Sequence, residues 1–285
     1  MTAGKRVLVV GGTNFDVIAQ ADRLPVEHEK LRGEACSVAP GGAGANTAAG
    51  LAREGCSVRL VSAVGDDAAG VMCLEALRGC GVDTSLVRME AGSRTSTAVV
   101  LSTGGGKRMM TFPGADRGPA FETVTGDDVR GSDHVHVVGE PTPALKRIVD
   151  LAHEAGCSVS VEWNGRDMSA LAVGAALNFM NADEAARLPR AVPFDTATTA
   201  RRYAALVSGD VIVTMGPEGA LWATAGGKVL HEPTRQVDPV DRTGGGDAFD
   251  AGVIAGRLNG DPPKVCMRRG LDAALHVLGR IGAHP

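Results

Sequence analysis

Short valine-rich runs recur along this chain, and between them lie longer stretches with helical spacing. Val7–Val10, Val58–Val61, Val135–Val138, Val159–Val161 and Val211–Val213 are of strand length and bounded by Gly, Ser or acidic residues. Ala45–Glu54, Ala68–Cys80, Pro143–Ala155, Thr196–Leu206, Asp247–Leu258 and Pro263–Leu278 read as helices. Strands of this kind suit a parallel sheet covered on both faces. Their alternation with helices predicts an α/β layer, with a central, mostly parallel sheet. With 285 residues, 44% of them hydrophobic, the chain can build one large core, and a single domain spanning 1–285 is expected.

Two regions break the alternation. Phe15–Leu24 and Lys30–Val38 resemble short strands, and Thr95–Ser102 and Lys107–Phe112 a hairpin around Thr103–Gly106. These segments, near 13–38 and 95–113, predict either a small separate sheet or an edge extension of the main one. A side sheet of this kind covers a cleft or forms a dimer surface. The net charge of -4 and the absence of a basic run argue against nucleic acid or an anionic membrane as partner. No apolar stretch is long enough to span a bilayer. The six cysteines include no C-x-x-C pair, and most of them read as buried apolar residues, which fits a reducing cytosol, so the expected location is cytoplasmic.

The densest motif is Asp241-Arg-Thr-Gly-Gly-Gly-Asp-Ala-Phe249. Glycines leave backbone N–H groups uncovered, and a helix opening at Asp247 would place those groups at the positive end of its dipole. The stretch reads either as an anion cradle beside a base or as a glycine turn capped by Asp247. Other nucleotide signatures fail. Gly106-Lys107 has Leu101 where a P-loop needs its first glycine, and Gly42-Ala-Gly44 has Thr47 where the dinucleotide fingerprint needs its third. Polar or glycine-rich motifs follow strand ends elsewhere: Gly11–Asp16, Pro40–Asn46, Ala63–Asp67, Glu162–Arg166, Asn181–Glu184 and Thr214–Gly219. Ligands of open α/β sheets bind at that edge.

Taken in order, these motifs resemble the ribokinase-like (PfkB) family of carbohydrate and nucleoside kinases, over nearly the whole chain. The paired blocks Gly41–Asn46 and Asp241–Asp247 carry the resemblance. It implies helices on both faces of the sheet, a small β lid that pairs in homodimers, and transfer of the ATP γ-phosphoryl to a substrate hydroxyl with Mg2+. Asp247 matches the catalytic base and Gly244, Gly245 and Gly246 the anion hole. Asp16, Gly41, Gly42 and Asn46 match substrate-facing positions, with Glu140 a further candidate. Thr214, Gly216 and Gly219 match the nucleotide strand-turn, and Asn164 and Arg166 a motif near the phosphates. Asn181 and Glu184 match the N-x-x-E motif that organises Mg2+ through waters. Asp241 matches an acid tied to a monovalent cation, K+.

Simpler readings stand beside these. Asn181–Glu184 is also a helix capping box, Thr214–Gly219 a strand and turn, and Glu162 with Arg166 a surface ion pair. His276 reads as a packed helix residue, with the adenine edge its one candidate contact. The sequence departs from the family at Ala43, where ribokinases often carry Lys, at Arg242, which puts the K+ site in doubt, at Gly245, and at Glu162 in place of Asp. Ala43 disfavours a phosphorylated substrate. The expected substrate is a small sugar. Phe15, Met109 and Phe112 in the lid segments offer stacking for a nucleoside as the alternative, and a non-catalytic sugar- or nucleotide-binding regulator is the other.

Overall fold

β1 (Arg6–Val10) is the pivot of the main sheet. Its residues Val7 to Val10 are all buried, as a strand covered on both faces requires. It pairs in parallel with β4 (Ser57–Gly65) on one side and β9 (His134–Val138) on the other. Beyond β9 the parallel array continues through β10 (Ser158–Glu162), β11 (Leu177–Asn181) and β12 (Asp210–Thr214). Two antiparallel strands, β13 (Ala220–Ala223) and β14 (Val229–Glu232), finish that edge. Short strands β5 (Val82–Asp83) and β6 (Val87–Glu90) pair with β4 at the other. The computed structural model describes residues 4–103, 106–115, 117–237 and 243–279.

The helices fall on two faces. Val7, Val9, Phe179 and Ile212 pack under α1 (Ala43–Arg53), α2 (Ala68–Gly79), α8 (Gly245–Leu258) and α9 (Pro263–Leu278). Leu8, Val10, Val135 and Val161 pack on the opposite side with α3 (Gly118–Glu122), α4 (Gly126–Arg130), α5 (Pro143–Glu154) and α7 (Thr196–Val207). The short α6 (Ala182–Arg187) follows β11 and adds Ala185 to that second core. The six expected helices agree with their boundaries to within two residues, and α3, α4 and α6 lie outside that set. One shift is consequential, since α8 opens at Gly245 and Asp247 lies in its first turn rather than at its start. Gly244, the residue before the helix, has φ 76°, a left-handed conformation that glycine adopts without cost.

The irregular segments form a separate four-stranded sheet, not an extension of the main one. Its order is β3 (Ala35–Gly41), β2 (Asn14–Gln20), β7 (Thr97–Thr103), β8 (Gly106–Phe112). β2 and β7 are parallel, and the outer pairs are antiparallel. Strand alternation puts Asp16 and Ile18, both buried, on one face, and Phe15 and Val17 on the other. Through the register Gln20↔Ser102↔Lys107, Lys107 shares the Asp16 face. Through Phe15↔Thr97↔Phe112, both of those rings lie on the opposite face. Phe15 and Phe112 are therefore not on the side that carries Asp16, which removes most of the expected stacking platform for a nucleoside base. Met109 alone of the three shares the Asp16 face.

Candidate active site

Asp247 is the centre of the site. It projects from the first turn of α8, where the backbone N–H groups have no intrahelical carbonyl to bond. Its Oδ2 accepts a hydrogen bond of 2.7 Å from Nδ2 of Asn46 on the neighbouring helix α1. Those helices lie close enough that a Cβ on Gly50 would come within 2.8 Å of Ala251 Cβ. Burial pushes the Asp247 carboxyl up to about 6. The Asn46 amide opposes that shift, Asp16 adds to it, Lys107 opposes it and Glu184 adds to it.

Asp16, Gly41, Gly42 and Asn46 lie close together around the start of α1. Gly42, with φ 89°, precedes α1, and a Cβ there would lie 2.6 Å from Gly12 O. The turn after β1 therefore packs directly on the start of α1. A Cβ on Gly41 would fall 2.1 Å from Asp16 Oδ2, so the Asp16 carboxylate rests on glycine backbone. Asn46 is buried, and its Oδ1 has no hydrogen-bond partner among the described residues. An acceptor left bare at that depth suits a ligand hydroxyl. Glu140 is exposed beyond the end of β9 and pairs at 3.0 Å with Arg166.

Two cavities adjoin at Thr214 and Gly246, and Asp247 lines one of them. One, of about 270 Å³, is lined by Glu162, Asn164, Asn181, Glu184, Asp247 and Asp250 among others. The other, of about 280 Å³, runs from Gly216 and Gly219 to the apolar side of α9 at Leu271, Leu275 and Leu278. Thr214 and Gly246 line both, so the pair form one path from an apolar pocket to the acid. Gly245 lines the second. Asn181 and Glu184 do form the capping box: Glu184 N donates to Asn181 Oδ1 at 2.9 Å, and Asn181 N donates to Glu184 Oε2 at 3.0 Å. Both also line the cavity.

Three expectations need correction or lie elsewhere. Arg166 binds Glu140, not Glu162. His276 is neither packed nor near the apolar pocket; it is exposed in a separate groove with Arg53 and Arg269. Asp241 and Arg242 lie outside the described residues.

Asp250 escaped the sequence reading. It is 3% exposed, one helical turn after Asp247, and shares a hydrogen bond with Glu162. Burial raises both carboxyls. The charge of Glu184 is the next cause at Glu162, and the charge of Glu162 the next at Asp250. The i, i+3 spacing from Asp247 was the available signal, because it puts both acids on one helix face. Lys107 was also missed as a site residue. It reaches from β8 to Thr243 Oγ1 at 2.5 Å, a contact that only the strand pairing of the small sheet makes visible.

The pfkB family carbohydrate kinase model matches residues 5–285. The chain belongs to that family. Among relatives, it is 32% identical to an ATP-dependent ribose-1-phosphate kinase of Halopiger xanaduensis, over 98% of this chain and 93% of that one. It is 26% identical to a ribokinase of Bacillus subtilis, over 93% and 89%. Its fold matches the structure of Arabidopsis thaliana ribokinase complexed with ribose and ATP, with a TM-score of 0.85 and 26% identity over 100% of this chain and 96% of that one. The ribokinase-like fold and a carbohydrate kinase activity follow from the family.

Proposed function

We propose that this kinase transfers the γ-phosphoryl group of ATP to a hydroxyl of a small sugar, with Asp247 as the base. The observation that carries this reading is the position of Asp247: a half-buried carboxyl held by Asn46, in the first turn of α8, lining one cavity that adjoins a second at Thr214 and Gly246. The apolar pocket suits an adenine, and Gly216 and Gly219 leave room along its wall. Gly244 to Gly246 cradle the phosphoryl group through backbone N–H. Asp16, Gly41, Gly42 and Asn46 hold the sugar so that one hydroxyl faces Asp247. The carboxylate takes that hydroxyl's proton as the oxygen attacks phosphorus.

The residues fit a divalent cation. The cavity beside Asp247 is lined by Glu162, Glu184 and Asp250 and, among the described residues, by no lysine or arginine. No three acidic, His or Cys side chains among the described residues converge closely enough to form a complete shell, which suits Mg2+, an ion that keeps several waters. Glu184 and Asn181 would hold it through such waters. When bound, it neutralises charge on the phosphates.

A second acceptor class has an observation of its own. A Cβ on Gly12 would lie 2.2 Å from Nη1 of Arg117, so a guanidinium rests on the substrate-side turn and can meet an anionic group. Together with the 32% identical relative, this supports a phosphorylated pentose as an acceptor despite Ala43. The test is ADP release over ribose, ribose 1-phosphate, deoxyribose, fructose and nucleosides, run beside Asp247→Asn. Turnover of a sugar, with a loss of at least ~100-fold in D247N and little change in ATP affinity, is expected. Turnover of nucleosides alone would overturn the sugar reading, and no turnover with any acceptor would overturn the kinase reading.

A further inference from the structure

The phosphoryl cavity presents a charge problem. Glu162, Glu184, Asp247 and Asp250 line it, and among the described residues no basic side chain does. Phosphoryl transfer brings further negative charge to that point, and enzymes of this chemistry place fixed cations beside it. Arg166, the cation nominated by sequence, is tied to Glu140 at 3.0 Å and does not line the cavity.

Lys107 is placed to fill the gap. It stands on the Asp16 face of the small sheet, the face turned towards the substrate-side residues. Its Nζ donates to Thr243 Oγ1 at 2.5 Å, across 136 residues of chain. Thr243 immediately precedes Gly244, which caps α8 and begins the glycine cradle. No carboxylate lies within ion-pair distance of Lys107 among the described residues, so its charge is not spent on a surface bridge. Its charge is also among those felt at the Asp247 carboxyl.

We propose that Lys107 is a catalytic residue, delivered by the small sheet to the mouth of the glycine cradle, where its ammonium binds the transferring phosphoryl group. The assignment rests on the kinase reading above. The bond from γ-phosphorus to the bridging oxygen breaks, and its electron pair leaves with ADP. The sugar oxygen forms the new bond to phosphorus, and its proton passes to Asp247. Lys107 remains an ammonium throughout; it donates hydrogen bonds to phosphoryl oxygens and exchanges no proton. Thr243 is a positioning residue that holds the ammonium before the nucleotide arrives. Catalysis is thereby tied to the small sheet lying over the site, because that sheet carries the Lys107 ammonium.

The test separates charge from latch. Lys107→Met removes both, Lys107→Arg keeps the charge, and Thr243→Val removes the latch while Lys107 stays. K107M is expected to lose at least ~50-fold in kcat with KM for the sugar changed less than ~3-fold, a loss in the range seen when one transition-state donor is deleted. K107R should recover at least about a tenth of the activity, and T243V should stay within ~5-fold of the parent. A second readout does not use turnover: titration with ADP and aluminium fluoride, which mimics the transferring group, in the presence of sugar. K107M should weaken that complex at least ~30-fold and leave ADP alone unchanged. The acid limb of the pH profile should also move upward in K107M. Asp16 on β2, Glu162 on β10, Glu184 on α6 and Asp250 on α8 would then face Asp247 without this opposing charge.

Lys107 is exposed on β8, so its substitutions are expected to leave the fold intact, and the thermal midpoint of each variant checks this. If K107M keeps its kcat, or if T243V falls as far as K107M, Lys107 is a latch and the assignment is wrong, while the kinase reading stands. If the parent protein turns over no acceptor, the kinase reading falls and the assignment falls with it.

Discussion

At the scale of single residues, Asp247 is set by two opposing forces. Burial disfavours its charge, and the Asn46 amide at 2.7 Å restores part of it. With its carboxyl pushed up to about 6, kcat/KM should fall about tenfold per pH unit below that value. Asn46→Ala removes a stabilising donor, so the acid limb should move to higher pH; a limb that stays in place would show that another group controls it. The same shift has a cost in stability. The folded protein holds this proton up to about pH 6 and the unfolded chain releases it near 3.8. Stability is therefore lost as pH rises between those values. D247N should lose activity yet unfold at a higher temperature than the parent at pH 8, as differential scanning fluorimetry would register. Much of this residue set was legible in the sequence, because glycine runs and isolated acids after strands keep their order whatever the packing. Asp250 and Lys107 were not, because their roles depend on which side of a helix or strand they occupy.

At the scale of elements, legibility followed residue type. Strands rich in valine were readable, with β1 and β10 matched to within one residue at each end. β13 and β14 were not, since Ala220–Ala223 and Val229–Glu232 carry a single β-branched residue between them. β9 hides a different property inside an apolar run. His134 and His136 are fully buried on it, and both bond Ser160 Oγ, at 2.7 and 2.8 Å. Burial pushes both imidazoles down to about 3, and His136 lowers His134 further. Their folded pKa values lie below the unfolded value near 6.5, so the unfolded chain takes up protons first as pH falls. Each histidine should remove about 1.4 kcal/mol of stability per pH unit between about pH 6 and 4. Asp247 acts in the opposite direction over that range, so the comparison must be made between proteins. Urea unfolding of the parent and a His134→Gln, His136→Gln double variant at pH 7 and 5 isolates the pair. The variant is expected to be weaker at pH 7 and to lose less on acidification; equal losses would show that the histidines are not buried neutral.

At the scale of the whole molecule, the main sheet is covered by helices on both faces, but the small sheet has only one side turned towards the body. Its other face carries Phe15, Val17, Val38, Val99, Met110 and Phe112, placed together by strand register. Val38, Met110 and Phe112 are each at least half exposed, at 50%, 53% and 51%. An apolar sheet face of this kind is seldom left to water. The edge strand β8 is also exposed along its whole length, which leaves its backbone groups open to pairing. Two copies meeting face to face would bury this patch and rigidify the sheet that carries both Asp16 and Lys107. A homodimer through the small sheet is therefore expected, with an interface on the order of 800 Å² per partner. Sedimentation velocity should give a dimer for the parent and a monomer for the double variant Met110→Lys, Phe112→Lys. Because Asp16 and Lys107 depend on the position of this sheet, that monomer should also show a raised KM for sugar and a lower kcat, while binding ADP as tightly as the dimer. A parent that sediments as a monomer at all concentrations would remove the dimer. A monomeric variant with parental kinetics would show that the site needs no partner, because the contacts of the small sheet with its own body would then suffice to hold it over Asp247.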